Sequence, residues 1–116
     1  MKVSNHDDVA VIDLETTFTA RGGEQAFENA YMPLLPTCHR FVLDFERIEE
    51  LDSKRLAAIV VFYKRARANG SVVVLASVGT LVKETLRITR LDRILRVAAT
   101  RNEGITVARG ADLTLP

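Results

Sequence analysis

The chain has 116 residues, 47% of them apolar and 27% charged, which fits one folded domain with a continuous core and an ordinary polar surface. Sixteen Lys and Arg against fifteen Asp and Glu leave a formal net charge of +1, so there is no global field of the kind that drives non-specific nucleic-acid binding, and no nucleic-acid partner is expected. Cys38 is the only cysteine, which excludes an intrachain disulfide and suits a reducing compartment.

In chain order, the opening MKVSNHDDVAVIDL carries two aspartates before a short apolar run. It lacks the basic start and longer apolar stretch of an export signal, and no segment approaches the roughly 20 apolar residues that span a bilayer. The expectation is a cytoplasmic protein without direct membrane insertion. Val9 to Leu14, VAVIDL, is β-branched and alternating, as a strand should be. Gly22 and Gly23 then break the chain, and Ala26, Phe27, Ala30, Tyr31 and Leu34 follow at helical spacing until Pro36. Arg40 to Phe45, RFVLDF, reads as a second strand. After the acidic loop ERIEELD, residues Ser53 to Asn69 read as a helix closed by Gly70, where helices favour a left-handed residue. SVVVLAS, Ser71 to Ser77, is a strand buried on both faces by its composition. Gly79 opens the helical stretch LVKETLRITRLDRIL, and VAAT is a candidate short strand.

Alternation of strand and helix predicts the α/β class: a mixed, mostly parallel sheet covered by helices, with right-handed crossovers, forming one domain over residues 1–116.

The chemistry-bearing signals are sparse. Arg21-Gly22-Gly23-Glu24 matches neither the phosphate-binding loop nor the dinucleotide fingerprint. His6 and His39 lie far apart with no second cysteine or spaced carboxylates to complete a metal site. His6 is expected near a flexible end and His39 in a turn, and Cys38 has no activating motif. Asp13, Asp44 and Asp52 fall near strand ends or in loops, but their spacing does not show that any two meet. No catalysis, cofactor or metal is expected. Lys83, Arg87, Arg90, Arg93, Arg96 and Arg101 make a basic stretch interrupted only by Glu84 and Asp92. It reads either as a docking surface for an acidic partner or as a solvated face with cations near helix ends.

The helix from Ser53 is the most informative segment. Ser53 follows Asp52 and precedes an apolar helix, so its hydroxyl is placed to cap the first turn. Projection at about 100° per residue puts Leu56, Ile59, Val60, Tyr63 and Ala66 on the core face. Lys54, Ala58, Val61 and Arg65, flanked by Phe62, form the opposite stripe. An apolar strip rimmed by cations reads as a protein-binding surface, or else as a face that a neighbouring element covers.

The order VLDF, a short loop, then LDSKRL resembles the core of STAS domains, the family of anti-sigma factor antagonists. Their pattern is a strand ending in Asp or Asn, then Asp-Ser-Ser-Gly-Leu opening a helix. VAVIDLETTFT stands where the family has a strand and a Gly-x-Leu-Asp turn, and VVVLASVGTLVKETLRITRLDRILRV resembles its later strand, loop and helix. Lys54 and Arg55 replace the usual Ser-Gly, and Thr16 and Thr19 replace the Gly and Asp of the upstream turn.

The resemblance implies a non-catalytic switch that binds an anti-sigma factor with serine kinase activity and is phosphorylated on Ser53. It implies partner contacts at Thr19, Asp52, Lys54, Arg55, Ala58, Val61, Phe62 and Arg65, in a monomer or weak dimer. The same family also supplies subunits of stress-signalling scaffolds and of membrane lipid-transport complexes.

Overall fold

The β-branched runs pair as expected. In the computed structural model, which describes residues 1–111, five strands form one sheet in the order β1 to β5. They are β1 (Lys2–His6), β2 (Val9–Asp13), β3 (Arg40–Asp44), β4 (Val72–Ala76) and β5 (Arg96–Ala98). β2, β3, β4 and β5 run parallel, and β1 joins β2 antiparallel. The helices are α1 (Gly23–Tyr31), α2 (Ser53–Ala68), α3 (Thr80–Ile88) and α4 (Arg101–Gly110).

Period-2 alternation sends successive side chains of each strand into opposite cores. Ala10, Ile12, Phe41, Leu43, Val73 and Leu75 meet the buried residues of α1, α2 and α3. Val9, Val11, Val42, Val72, Val74 and Ala76 meet Ile105 and Ala108 of α4. β4 is buried along its whole length, as its unbroken apolar composition requires. Between α1, α2 and the sheet lies a group of rings: Phe27 packs edge-on against Phe18, Tyr31 and Phe62, with centroids 5.3, 4.9 and 5.4 Å apart. Edge-to-face pairs of this kind add to the burial of the rings themselves.

Three features depart from the sequence reading. Lys2–His6, with its alternating polar residues, is a strand: Asp7, at φ 59°, turns the chain so that His6 faces Val9. His6 therefore lies in a paired strand, not at a flexible end. The stretch after Gly79 is not one helix. α3 ends at Ile88, Arg90 turns at φ 62°, and a 3-10 turn over Leu91–Arg93 leads into β5.

The third is α4, which caps the second face of the sheet. Thr100 accepts a hydrogen bond at its side chain from the Glu103 N–H at 3.1 Å, the first half of a capping box. Arg40 of β3 holds the other end by donating to the carbonyls of Ala108 and Ala111.

Gly104 brings α4 onto the strands. A Cβ there would stand 3.0 Å from Ala76 Cβ and 3.2 Å from Val42 Cγ1. Gly104→Val is therefore expected to destabilise the fold by about 1–3 kcal/mol in urea unfolding. Gly110→Ala, whose added Cβ meets nothing within 4 Å, should leave the midpoint unchanged or slightly raised.

Candidate functional site

The candidate site lies where the loop after β3 enters α2. Asp52 has extended backbone angles, and its Oδ1 accepts the Arg55 N–H at 2.8 Å. The cap is thus Asp52, one residue before the serine that the sequence reading assigned to it. Both residues are good caps, and a carboxylate also carries charge favourable to the helix N-terminus. Ser53 becomes the first helical residue. It is exposed, and its hydroxyl has no hydrogen-bond partner among the described residues.

Arg55 is a correction. It was expected at a partner surface, but only 8% of it is exposed. Its Nε donates to the Phe18 carbonyl at 3.0 Å, Nη2 donates to the Ala20 carbonyl, and Nη1 lies 3.3 Å from Asp52 Oδ2. The guanidinium stitches the start of α2 to the end of the 3-10 turn Thr16–Thr19. It gives the buried Phe18 a donor for its carbonyl and adds a second donor to the Ala20 carbonyl, which already accepts the Gly23 N–H.

Glu24 of α1 completes the charge arrangement, with Oε2 3.6 Å from Arg55 Nη2 and Oε1 3.6 Å from Lys54 Nζ. Oε2 is inaccessible and has no hydrogen bond, so the ion pair with Arg55 is what balances it. The Glu24 carboxyl is held below the ordinary range chiefly by its own backbone N–H, which outweighs the opposing effect of burial, with Arg55 and then Lys54 adding smaller lowering contributions. A depressed folded-state value means these ion pairs persist through the usual carboxylate range and are lost only at more acid pH.

Phe62 is the second correction. It is fully buried, 5.3 Å from the ring of Phe41 and 4.6 Å from that of Tyr31. The buried residues of α2 are Arg55, Ile59, Phe62 and Ala66, while Leu56, Val60 and Tyr63 are half-buried. α1 packs beside α2 and draws the buried arc toward Phe62. The opposite stripe therefore forms one wall of a groove against α1, about 220 Å³, that holds Lys54, Ala58 and Val61 with Glu24, Glu28 and Tyr31.

Ala58 is half-buried there and Val61 is 42% exposed. Arg65 closes the far end by donating to the Tyr31 hydroxyl at 2.8 Å and approaching Glu28 to 3.6 Å. Burial raises the Tyr31 phenol, while the Arg65 hydrogen bond works against that rise.

Thr19 is exposed and donates to the Thr16 carbonyl at 2.9 Å. It shares a polar groove of about 560 Å³ with Thr16, Arg47, Glu49, Glu50, Asp52 and Arg55. The structure thus brings Thr19, Asp52 and Ser53 to one end of the sheet, with Lys54, Ala58, Val61 and Arg65 running away along α2.

Asp13 and Asp44, register partners on β2 and β3, do come together. Arg101 lies between them, at 3.0 Å from Asp13 and 3.3 Å from Asp44, and also donates to Ser4 Oγ at 3.0 Å. Asp44 is 1% exposed and also accepts the Glu46 N–H. This pair is a structural clamp for α4, and Arg101 belongs to it rather than to a free basic surface. Among the described residues, no group of three or more His, Cys, Asp or Glu could hold a metal ion. Nor is any described helix long and apolar enough to cross a membrane.

A family model described as "Mlab, STAS domain" matches residues 1–97. The chain belongs to the STAS domain family. Proteins of this family are in general non-catalytic regulators. The match ends before α4.

Among solved structures, a Thermotoga maritima protein assigned as an anti-sigma factor antagonist shares 24% identity over 93% of each chain, at a TM-score of 0.79. An anti-sigma-factor antagonist (STAS) domain protein from Planctomyces limnophilus shares 19% over 94% of this chain and 97% of its own, at 0.81. The Bacillus cell fate determinant SpoIIAA in its phosphorylated form shares 14% over 90% of this chain and 96% of its own, at 0.70. At these identities the likeness establishes a common fold.

The corrected positions separate by substitution. Asp52→Ala should cost about 1 kcal/mol of stability, and Ser53→Ala less than about 0.5 kcal/mol, in chemical denaturation. Val61→Asp should melt near wild type, whereas Phe62→Asp, which buries an unpaired charge, should lose several kcal/mol or fail to fold.

Proposed function

We propose that this protein is a non-catalytic interaction switch, an anti-sigma factor antagonist that binds an anti-sigma factor with serine kinase activity and is controlled by phosphorylation of Ser53. It acts as one domain in the cytoplasm, as a monomer or weak dimer. The observation that carries this reading is the setting of Ser53: an exposed hydroxyl, without a hydrogen-bond partner among the described residues, at the first position of α2 beside a cap that Asp52 already supplies. The serine contributes little to the fold, so a kinase can modify it at small structural cost. The Bacillus relative is named in a phosphorylated form, which is in keeping with such a switch.

A phosphate adds about −2 charge, and helix N-terminal amides accept it. The effect is therefore local. It places charge and bulk in a contact surface that Thr19, Asp52, Lys54, Ala58, Val61 and Arg65 would share. Lys54, paired with Glu24 at 3.6 Å, is the nearest cation in sequence, and its exchange toward the phosphate would reshape that surface.

A second reading is a STAS subunit attached to a membrane lipid transporter, favoured by the description of the family model that matches. Affinity capture from the source cell tells the two apart. Wild type and Ser53→Ala should retain a histidine-kinase-like ATPase. Incubation with that kinase and ATP should add one phosphate to wild type and none to Ser53→Ala. Ser53→Asp should bind more than about tenfold more weakly, because it holds a fixed charge at the contact. Equal binding by Ser53→Asp and Ser53→Ala rejects the switch, and capture of a transporter ATPase in place of the kinase selects the second reading.

A further inference from the structure

The basic stretch has a structure of its own at the far end of the sheet. β5 is the end strand: β4 pairs with it on one side and, among the described residues, no strand lies on the other. A groove of about 770 Å³ runs along this open edge, from Leu86 and Arg87 of α3, past Ile94, Arg96 and Val97, to Val107 of α4. It therefore passes from the helices on one face of the sheet to the helix on the other.

Leu86 and Leu95 are buried in its floor, at 1% and 4% exposed. Ile94, Val97 and Val107 stand open at 55%, 41% and 36%. Around them lie Lys83, Arg87, Arg93 and Arg96, with Asp92 as the one acid of the lining. Arg87 is paired with Glu84, but the side chains of Lys83, Arg93 and Arg96 have no ion pair or hydrogen bond among the described residues.

We infer that this edge binds an extended, acidic segment of a partner protein, which adds to β5 as a strand, sets apolar side chains against Ile94, Val97 and Val107, and places carboxylates on Lys83, Arg93 and Arg96. Strand addition to an exposed edge draws affinity from main-chain hydrogen bonds and specificity from alternate side chains. Charge selects the occupant. A second copy pairing edge to edge would set Arg93 and Arg96 against their own equivalents, and β1, the other open edge, offers Lys2 and no carboxylate between Lys2 and His6. This site is at the opposite edge from β1 and does not involve Ser53, so it stands whether or not Ser53 is a switch.

The test uses a fluorescent peptide of alternating Glu and Val, its Lys-and-Val counterpart, and a Glu-and-Ser counterpart, read by anisotropy with the intact protein. The Glu-and-Val peptide should bind, weaken as salt rises, and protect the amides of Arg96 to Ala98 from hydrogen exchange. The other two should bind at least about tenfold more weakly.

Arg93→Glu with Arg96→Glu, both on exposed side chains, should lower affinity about tenfold or more at an unchanged melting temperature, and Ser53→Asp should bind the probe as wild type does. The inference fails if the Glu-and-Val peptide does not bind, if the double reversal binds it equally, or if the Glu-and-Ser peptide binds as well. Displacement of the peptide by phosphatidylglycerol vesicles or by single-stranded DNA, with tighter binding than the peptide's own, also overturns it.

Discussion

The structure depends on burying the two faces of the central parallel strands at once. β4 has no exposed residue, and β3 is closed apart from Arg40, so backbone and side chains on both sides need covering elements. α1, α2 and α3 supply one cover. The other is a single helix, α4, whose own composition is poor for the task. Its middle, Gly104-Ile105-Thr106-Val107, has low helix propensity. Close approach through Gly104 and arginines at both ends compensate. Arg101 ties the first turn to Asp13 and Asp44, and Arg40 holds the last carbonyls. These buried or half-buried charges are partnered, which is the condition for tolerating them in a closed interior.

With the sheet closed, its carboxyl ends gather the 3-10 turn after β2 and the loop after β3. Arg55 is what turns that proximity into a fixed geometry. Its guanidinium bridges two backbone carbonyls of the turn to the cap of α2 and pairs with Glu24 of α1. Gly23 reinforces the junction: a Cβ there would fall 2.0 Å from the Phe18 carbonyl oxygen, so no larger residue fits. Ser53 is thereby presented on a fixed helix start, between a cap, Asp52, and a buried arginine, Arg55, that are already paired with each other. In the proposed switch, a charged group added there would change the surface and leave the interior pairs intact.

Much of this was legible in the sequence, and the exceptions have physical causes. VAVIDL, RFVLDF and SVVVLAS announced their strands because short apolar runs rich in β-branched or aromatic residues suit a sheet buried on both faces. β1 was illegible because Lys2-Val3-Ser4-Asn5-His6 is an edge strand, with a weak alternating pattern, although the two aspartates behind it mark a tight turn. α4 was missed for its β-branched residues, yet Thr100 and Glu103 carry the spacing of a capping box.

The exposure of Ser53 and the solvent position of Val61 were read correctly. The burial of Phe62 and Arg55 was not. From Ala57 to Tyr63 the helix α2 is apolar all round, so periodicity alone could not choose its buried arc. Arg55 replaced a small residue of the family pattern and read as surface charge. Only the carbonyls of Phe18 and Ala20, far away in sequence, reveal why an arginine is buried there.

The central claim is that modification at Ser53 alters a docking surface without altering the fold. The most direct measurement compares amide NMR spectra and melting temperatures of the unmodified chain and of chain carrying phosphoserine at position 53. The account predicts shifts confined to residues around Asp52 to Ala58, the 3-10 turn Thr16–Thr19 and Glu24, with the melting temperature changed by no more than about 4 °C. Shifts spreading through β3, β4 and α4, or a large drop in melting temperature, would contradict it.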